Sequence, residues 1–310
     1  MSLLTSDAAG VFPVAVTPFR VDGGLDIESI VRLLDFYGEC GAAGVTVLGV
    51  MGEAAKLDHA EMVTVTHEFL KRAGKLPIIV GVSSPGFASM RALTREAMDA
   101  GAAAVMIAPP AAMRTEEQVV AYYSQAVEAI GTDVPFVLQD HPLVTQVVMT
   151  ANTVRRIVAD HPSCIILKHE DWPGLEKLSA LRGFEREGSM RRISILCGNG
   201  GLFIDFELAR GADGAMTGYA FPEALVSMYR LHLQGRRDAA QDVFDLHLPL
   251  IRYEHQSGIG LAARKYVLMR RGVIASDTLR KPGTQLGEAA RAEIEFLLRR
   301  IAARDPNFKV

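Results

Sequence analysis

Eight short apolar runs recur along this chain, each followed by an amphipathic stretch of helical period, and that alternation limits the fold more than any other feature. The runs are Pro13 to Thr17, Val45 to Leu48, Pro77 to Gly81, Ala104 to Ala108, Pro135 to Gln139, Cys164 to Lys168, Ser194 to Cys197 and Ala215 to Thr217. Between them apolar residues fall at helical spacing, as in Ile27, Ile30, Val31 and Leu34 before Gly41, or Met62, Val65, Phe69 and Leu70 before Gly74. Asp58 with Glu61 and Thr115 with Gln118 have the spacing of capping boxes, in which a side-chain oxygen and a longer partner satisfy free backbone donors at a helix start. Strands apolar on both faces and separated by helices form a parallel sheet covered by helices. Eight such units predict an α/β protein, a closed (β/α)8 TIM barrel over residues 1–234. A doubly wound open sheet fits less well, because it calls for a glycine-rich first turn and Thr17-Pro18-Phe19-Arg20 supplies none. Past Gly235 the pattern becomes purely helical, at about Asp238 to Gln256, Ala262 to Arg271 and Glu288 to Arg304, with a break at Pro282-Gly283. Residues 235–310 are therefore expected to form a C-terminal helical extension packed on the barrel.

A net charge of -3 argues against nucleic acid or an anionic membrane as the main partner. Cys40, Cys164 and Cys197 are odd in number, far apart and in apolar contexts, which suits buried thiols better than a disulfide frame. No run approaches the ~18 apolar residues of a membrane span, and no basic start leads into an apolar stretch, so a cytoplasmic location is expected.

Lys168 ends the run Cys164-Ile165-Ile166-Leu167-Lys168 and so places a primary amine where a buried strand stops. Desolvation there disfavours the ammonium and favours the free base, the form that attacks a carbonyl. Seven other lysines, including Lys177 and Lys265, stand in polar or helical contexts, which makes Lys168 the exception. In a barrel of this kind the active site forms at the C-terminal strand ends, and of the residues closing the strands only Lys168 is a good nucleophile near neutral pH.

At these positions the chain resembles the dihydrodipicolinate synthase and N-acetylneuraminate lyase family of Schiff-base aldolases and hydro-lyases. The resemblance runs through Val16-Thr17-Pro18-Phe19 with Asp22-Gly23 and Asp26, Gly49 to Glu53, Pro77 to Gly81, Ala108-Pro109-Pro110, Lys168 with an acidic residue shortly after, and Gly211-Ala212-Asp213-Gly214. It implies that Lys168 forms an imine with a small 2-oxo acid and that the iminium draws off the electrons of a carbanion at C3. The resulting enamine then exchanges an aldehyde or expels a hydroxyl from the next carbon. It further implies that no cofactor takes part, that Gly49, Val50, Met51 and Met216 line the substrate, and that the chain forms a homo-oligomer, a tetramer or a dimer.

The departures from the family pattern narrow the chemistry. The family's proton-handling tyrosine falls at Gln139, whose amide hydrogen-bonds but does not shuttle protons near neutrality. Val50 and Met51 replace the two hydroxyl residues of the carboxylate loop, Ala111 and Ala112 stand where many members have tyrosines, and Val144 lies near the place of an arginine used on a second substrate. Strict dihydrodipicolinate synthase activity is therefore not expected. Glu170, two residues past the lysine, is a candidate to move the proton, as in branches that dehydrate 2-keto-3-deoxy sugar acids. A non-catalytic protein that keeps the 2-oxo acid pocket is the alternative from another class.

The remaining candidates are subsidiary. His141 and His169 are both expected near the mouth, Asp140 as an orienting or structural group, and Glu53 near the start of the next helix, where its carboxylate suits the dipole. Tyr219 joins Val50, Met51 and Met216 in an apolar pocket wall. Gly198-Asn199-Gly200-Gly201 offers a weak phosphate-cradle signal. No metal is expected, since His59, Glu61, His67 and Glu68 lie on helix stretches facing solvent.

Overall fold

The computed structural model describes residues 2–305 and 308. Eight parallel strands order the chain: β1 (Gly10–Pro13), β2 (Val45–Val47), β3 (Ile78–Gly81), β4 (Ala104–Ile107), β5 (Phe136–Asp140), β6 (Cys164–His169), β7 (Ser194–Cys197) and β8 (Gly214–Thr217). Consecutive strands pair from β2 through β8, β8 pairs with β1, and a parallel bridge from Val14 to Thr46 brings β1 back to β2, giving a (β/α)8 barrel. The helices that follow the strands are α1 (Ile27–Glu39), α2 (His59–Arg72), α3 (Phe87–Asp99), α4 (Glu116–Ile130), a single turn α5 (Pro142–Thr145), α6 (Ala151–Asp160), α7 (Leu175–Arg186), α8 (Ile204–Ala209) and α9 (Pro222–Leu233). Beyond Gly235 run α10 (Arg237–Glu254), α11 (Gly260–Arg270) and α12 (Glu288–Ala302), in contact with one another and, through α10, with α8 and α9.

Local chemistry accounts for the boundaries. Asp58 and Thr115 each cap a helix through a reciprocal box, accepting from Glu61 N and Gln118 N, as their spacing predicts. The first strand lies three residues earlier than expected. Pro13 reads as an opening residue because it donates no N–H, but it ends the ladder instead, and the next two residues donate onward to the Thr217 and Thr46 carbonyls.

Side chains on a strand alternate between faces, and in a barrel the two faces become two cores. Phe12, Val14, Ile79, Met106, Val137, Ile166, Leu196 and Met216 fill the lumen, while the larger core lies between strands and helices and continues into the extension through Leu250, Val267 and Ile294. Cys164 and Cys197 are buried, Cys40 is half-buried, and all three thiols are free. No described helix is long and apolar enough to cross a membrane.

Candidate active site

Alternation decides which strand-end residues face the lumen. Val137 and Ile166 are luminal, so Gln139 and Lys168, two residues further on, project the same way, and the two lie directly opposite each other across the β5–β6 ladder. Glu170 continues the parity of Lys168. Lys168 is only 3% exposed, and its Nζ lies 3.0 Å from Glu170 Oε2. Gln139 Nε2 donates to the same oxygen at 2.7 Å, and His141 Nδ1 stands 3.5 Å from it. Gln139 is thus engaged with Glu170.

Glu170 approaches so closely because residue 198 is glycine: a Cβ there would collide with the Glu170 side chain. Burial pushes the Glu170 carboxyl up, but the Lys168 charge, His141 and the Gln139 hydrogen bond together hold it below the usual carboxylate range. Burial lowers His141, with Glu170 opposing, so this imidazole favours its neutral form. The group is a lysine, a carboxylate on its amine, and a neutral imidazole and an amide on that carboxylate.

His169 and Asp140 carry the opposite parity and leave the site. His169 is fully buried outside the lumen, with Nε2 2.9 Å from Gly174 O, and burial lowers it to about 4. The expectation that both histidines sit at the mouth therefore holds for His141 alone. Asp140 accepts from Lys177 Nζ at 2.8 Å, and Lys177 also reaches Asp171 at 2.8 Å, an arrangement that ties β5 to the loop after β6. Burial raises Asp140 to about 6 against the pull of Lys177.

Lys265, on α11, overturns the idea that Lys168 is the one buried lysine, since it is 0% exposed. Its ammonium bonds Thr17 O, Glu53 Oε1 and Thr278 O and sits over the Phe19 ring, which holds it as a strut with no freedom to attack a carbonyl. Burial lowers it to about 8. Its partner Glu53 stands in the left-handed region (φ 53°) at the start of a one-turn 3-10 helix (Ala54–Lys56), five residues before the Asp58 cap of α2; its side chain makes no cap hydrogen bond there and pairs with Lys56 as well. The pair anchors the Gly49–Glu53 loop to the extension.

In that loop Gly49 lies against Val14, Val50 is 44% exposed, and Met51 packs on the luminal core to which Met216 belongs. The N–H groups of Val50 and Met51 have no partner among the described residues. Tyr219 turns away from the wall assigned to it, because its hydroxyl meets His247 Nδ1 at 2.8 Å and its ring packs on Phe221. The glycine-rich turn after β7 forms no phosphate cradle: the N–H of Gly198 goes to His169 O, that of Gly200 to Thr217 Oγ1 and that of Gly201 to Gly198 O. Among the described residues no three His, Cys, Asp or Glu side chains converge as metal ligands.

Comparison with known proteins bears on the family and the fold. Residues 7–301 match the model of the dihydrodipicolinate synthetase family. The chain is 31% identical over 301 residues to the L-2-keto-3-deoxyarabonate dehydratase of Azospirillum brasilense, covering 94% of each chain. It is 29% identical over 249 residues to a 4-hydroxy-tetrahydrodipicolinate synthase of Persephonella marina, covering 78% of this chain and 81% of that one. Among solved structures, the dihydrodipicolinate synthase of Rhodopseudomonas palustris superposes with a TM-score of 0.96 at 60% identity, over 97% of this chain and 100% of that one.

Proposed function

The chain belongs to the dihydrodipicolinate synthetase family, and from that premise we propose that it is a lyase that joins a small 2-oxo acid to Lys168 as a Schiff base and acts as a hydro-lyase on a 2-keto-3-deoxy acid. The observation that carries the reading is the 3.0 Å contact between Lys168 Nζ and Glu170 Oε2, with Gln139 Nε2 on the same oxygen.

The Glu170 carboxylate lies 3.0 Å from the Lys168 amine, within reach as its proton acceptor. Passing the proton from Lys168 to Glu170 along that contact releases the free amine. The amine adds to the C2 carbonyl, water leaves, and an iminium forms that acidifies C3. Glu170, returned to its carboxylate form, takes a proton from C3 to give the enamine and then delivers it to the hydroxyl on C4, which departs as water. Hydrolysis of the imine restores Lys168 and frees the unsaturated 2-oxo acid, so the sum is loss of one water. The Gln139 amide keeps Glu170 oriented. The likeness to the Azospirillum brasilense dehydratase over most of both chains supports this reading.

Aldol addition or cleavage on the same imine is the second reading, favoured by the name of the 60% identical Rhodopseudomonas palustris structure. A homo-oligomer is part of the proposal, supported by exposed Leu143, Val144 and Val148 on the segment after β5. The test is turnover across a panel of 2-keto-3-deoxy acids beside pyruvate–aldehyde pairs. Release of an unsaturated 2-oxo acid, lost in Lys168→Ala, supports the hydro-lyase. Pyruvate binding with no lysine-dependent turnover of any compound establishes instead a non-catalytic 2-oxo acid binder.

A further inference from the structure

Val50 and Met51 give the loop after β2 no hydroxyl to offer a substrate carboxylate, yet a strong donor reaches that loop from the far end of the chain. Arg264 on α11 is 4% exposed. Its Nε donates to Glu254 Oε2 at 2.9 Å, and its Nη1 is directed at the Met51 sulfur. A thioether is a weak acceptor, and Nη2 has no partner among the described residues. Gly218, just past β8, lies so close that any side chain there would strike Nη1. The guanidinium therefore spans the C-terminal ends of β2 and β8, on the two sides of β1, at the face where Lys168 emerges. The His255 ring, at the end of α10, stacks on Trp172 in the loop after β6 and lies against Gly200 in the turn after β7, which places this edge of the extension over the same mouth.

A buried guanidinium whose Nε alone meets a carboxylate oxygen, while Nη1 faces a thioether, is short of acceptors, because such a group is normally saturated with oxygen. Its planar fork fits a carboxylate through two parallel N–H bonds. We infer that Arg264 is the charged anchor of the substrate's C1 carboxylate, replacing the hydroxyls absent at 50 and 51. Glu254 holds Nε and fixes the fork so that the Nη edge faces the loop, where the N–H groups of Val50 and Met51 complete the anion's shell. Met51, unbranched and flexible, is the side chain that moves aside when the carboxylate enters. The inference deepens the Schiff-base reading and rests on it.

The test measures borohydride trapping of wild type, Arg264→Met and Arg264→Lys as a function of pyruvate concentration, beside hydroxyacetone, a ketone with no carboxylate. Melting temperature and circular dichroism accompany each variant. Arg264→Met should raise the half-saturating pyruvate concentration roughly 10- to 100-fold, the worth of one to two charge-assisted hydrogen bonds, and leave hydroxyacetone trapping within about twofold. Arg264→Lys, which keeps the charge but not the fork, should fall between and guards against a fold lost with methionine. Adding Met51→Thr to Arg264→Met should recover part of the pyruvate affinity by restoring a loop hydroxyl. An unchanged pyruvate curve in both variants, or equal losses for the two ketones, overturns the assignment while leaving the imine intact. A wild-type protein that traps no pyruvate at Lys168 overturns the functional reading, and the anchor with it.

Discussion

Replacing Glu170 with glutamine separates imine formation from the chemistry that follows it. Both partners are nearly buried, with side chains 4% and 7% exposed, and 3.0 Å apart, so their attraction is about 5 kcal/mol at an effective dielectric constant of 20. Glutamine keeps the shape and an acceptor for Gln139 but removes the charge and the proton-carrying function. Two consequences follow. Lys168 keeps its amine but loses the nearby proton acceptor, so borohydride trapping of pyruvate should slow and still reach Lys168. The proton from C3 and the leaving hydroxyl lose their carrier, so turnover of a 2-keto-3-deoxy acid should fall 10²- to 10⁴-fold, or about 3 to 5 kcal/mol of barrier. The assay pairs mass-spectrometric trapping over time with steady-state release of the unsaturated acid. Turnover within tenfold of wild type, with trapping slowed or not, refutes the role given to Glu170. Loss of both activities in a protein that still melts cooperatively shows that Glu170 acts on the lysine alone.

Further expectations concern groups outside the reaction. Glu207 is buried behind β7 beside the Cys197 thiol, and burial raises it from 4.5 to about 8; because the folded form then binds the proton more tightly, stability should decline as pH rises through that window, by an amount on the order of 5 kcal/mol at most. Between pH 6.5 and 8, where the buried His169 and Asp140 contribute little, Glu207→Gln should flatten the fall in melting temperature, and an unchanged slope sinks the claim. Lys265→Met leaves Glu53 with Lys56 as its remaining lysine partner and should cost about 3 kcal/mol, visible as a melting temperature lower by roughly 5 to 10 °C; a neutral effect means the strut carries no weight. Gly198→Ala should displace Glu170 and cut turnover while leaving the melting temperature within a few degrees, and undiminished turnover shows that the close approach is not needed.

How much of this was legible in the sequence depends on how far apart the partners lie along the chain. The eight strands, the two capping boxes and the late helices are local patterns, and the structure has them within a few residues of their expected places. Lys168 and Glu170 are separated by one residue, so period-two alternation alone puts both on one face. The same count distinguishes His141 from His169 and Asp140: reckoned from Val137 and Ile166, the first is luminal and the other two are not. That signal lay in the sequence, and proximity to the strand ends masked it. Lys265 and Arg264 were not legible, because α11 gives no apolar stripe that says which face is buried. Their partners Thr17, Glu53 and Met51 lie more than two hundred residues earlier, and only the docking of the extension brings them together. Tyr219 shows the converse: placed on the pocket wall by its position after β8, it was drawn outward by His247 from the same extension.

The most direct measurement of the central claim is peptide mapping after borohydride reduction of the intact protein with pyruvate. The account predicts one reduced pyruvate on the peptide that holds Lys168, absent in Lys168→Ala. An adduct on Lys177, Lys265 or any other lysine, or no adduct on a folded protein at saturating pyruvate, contradicts it.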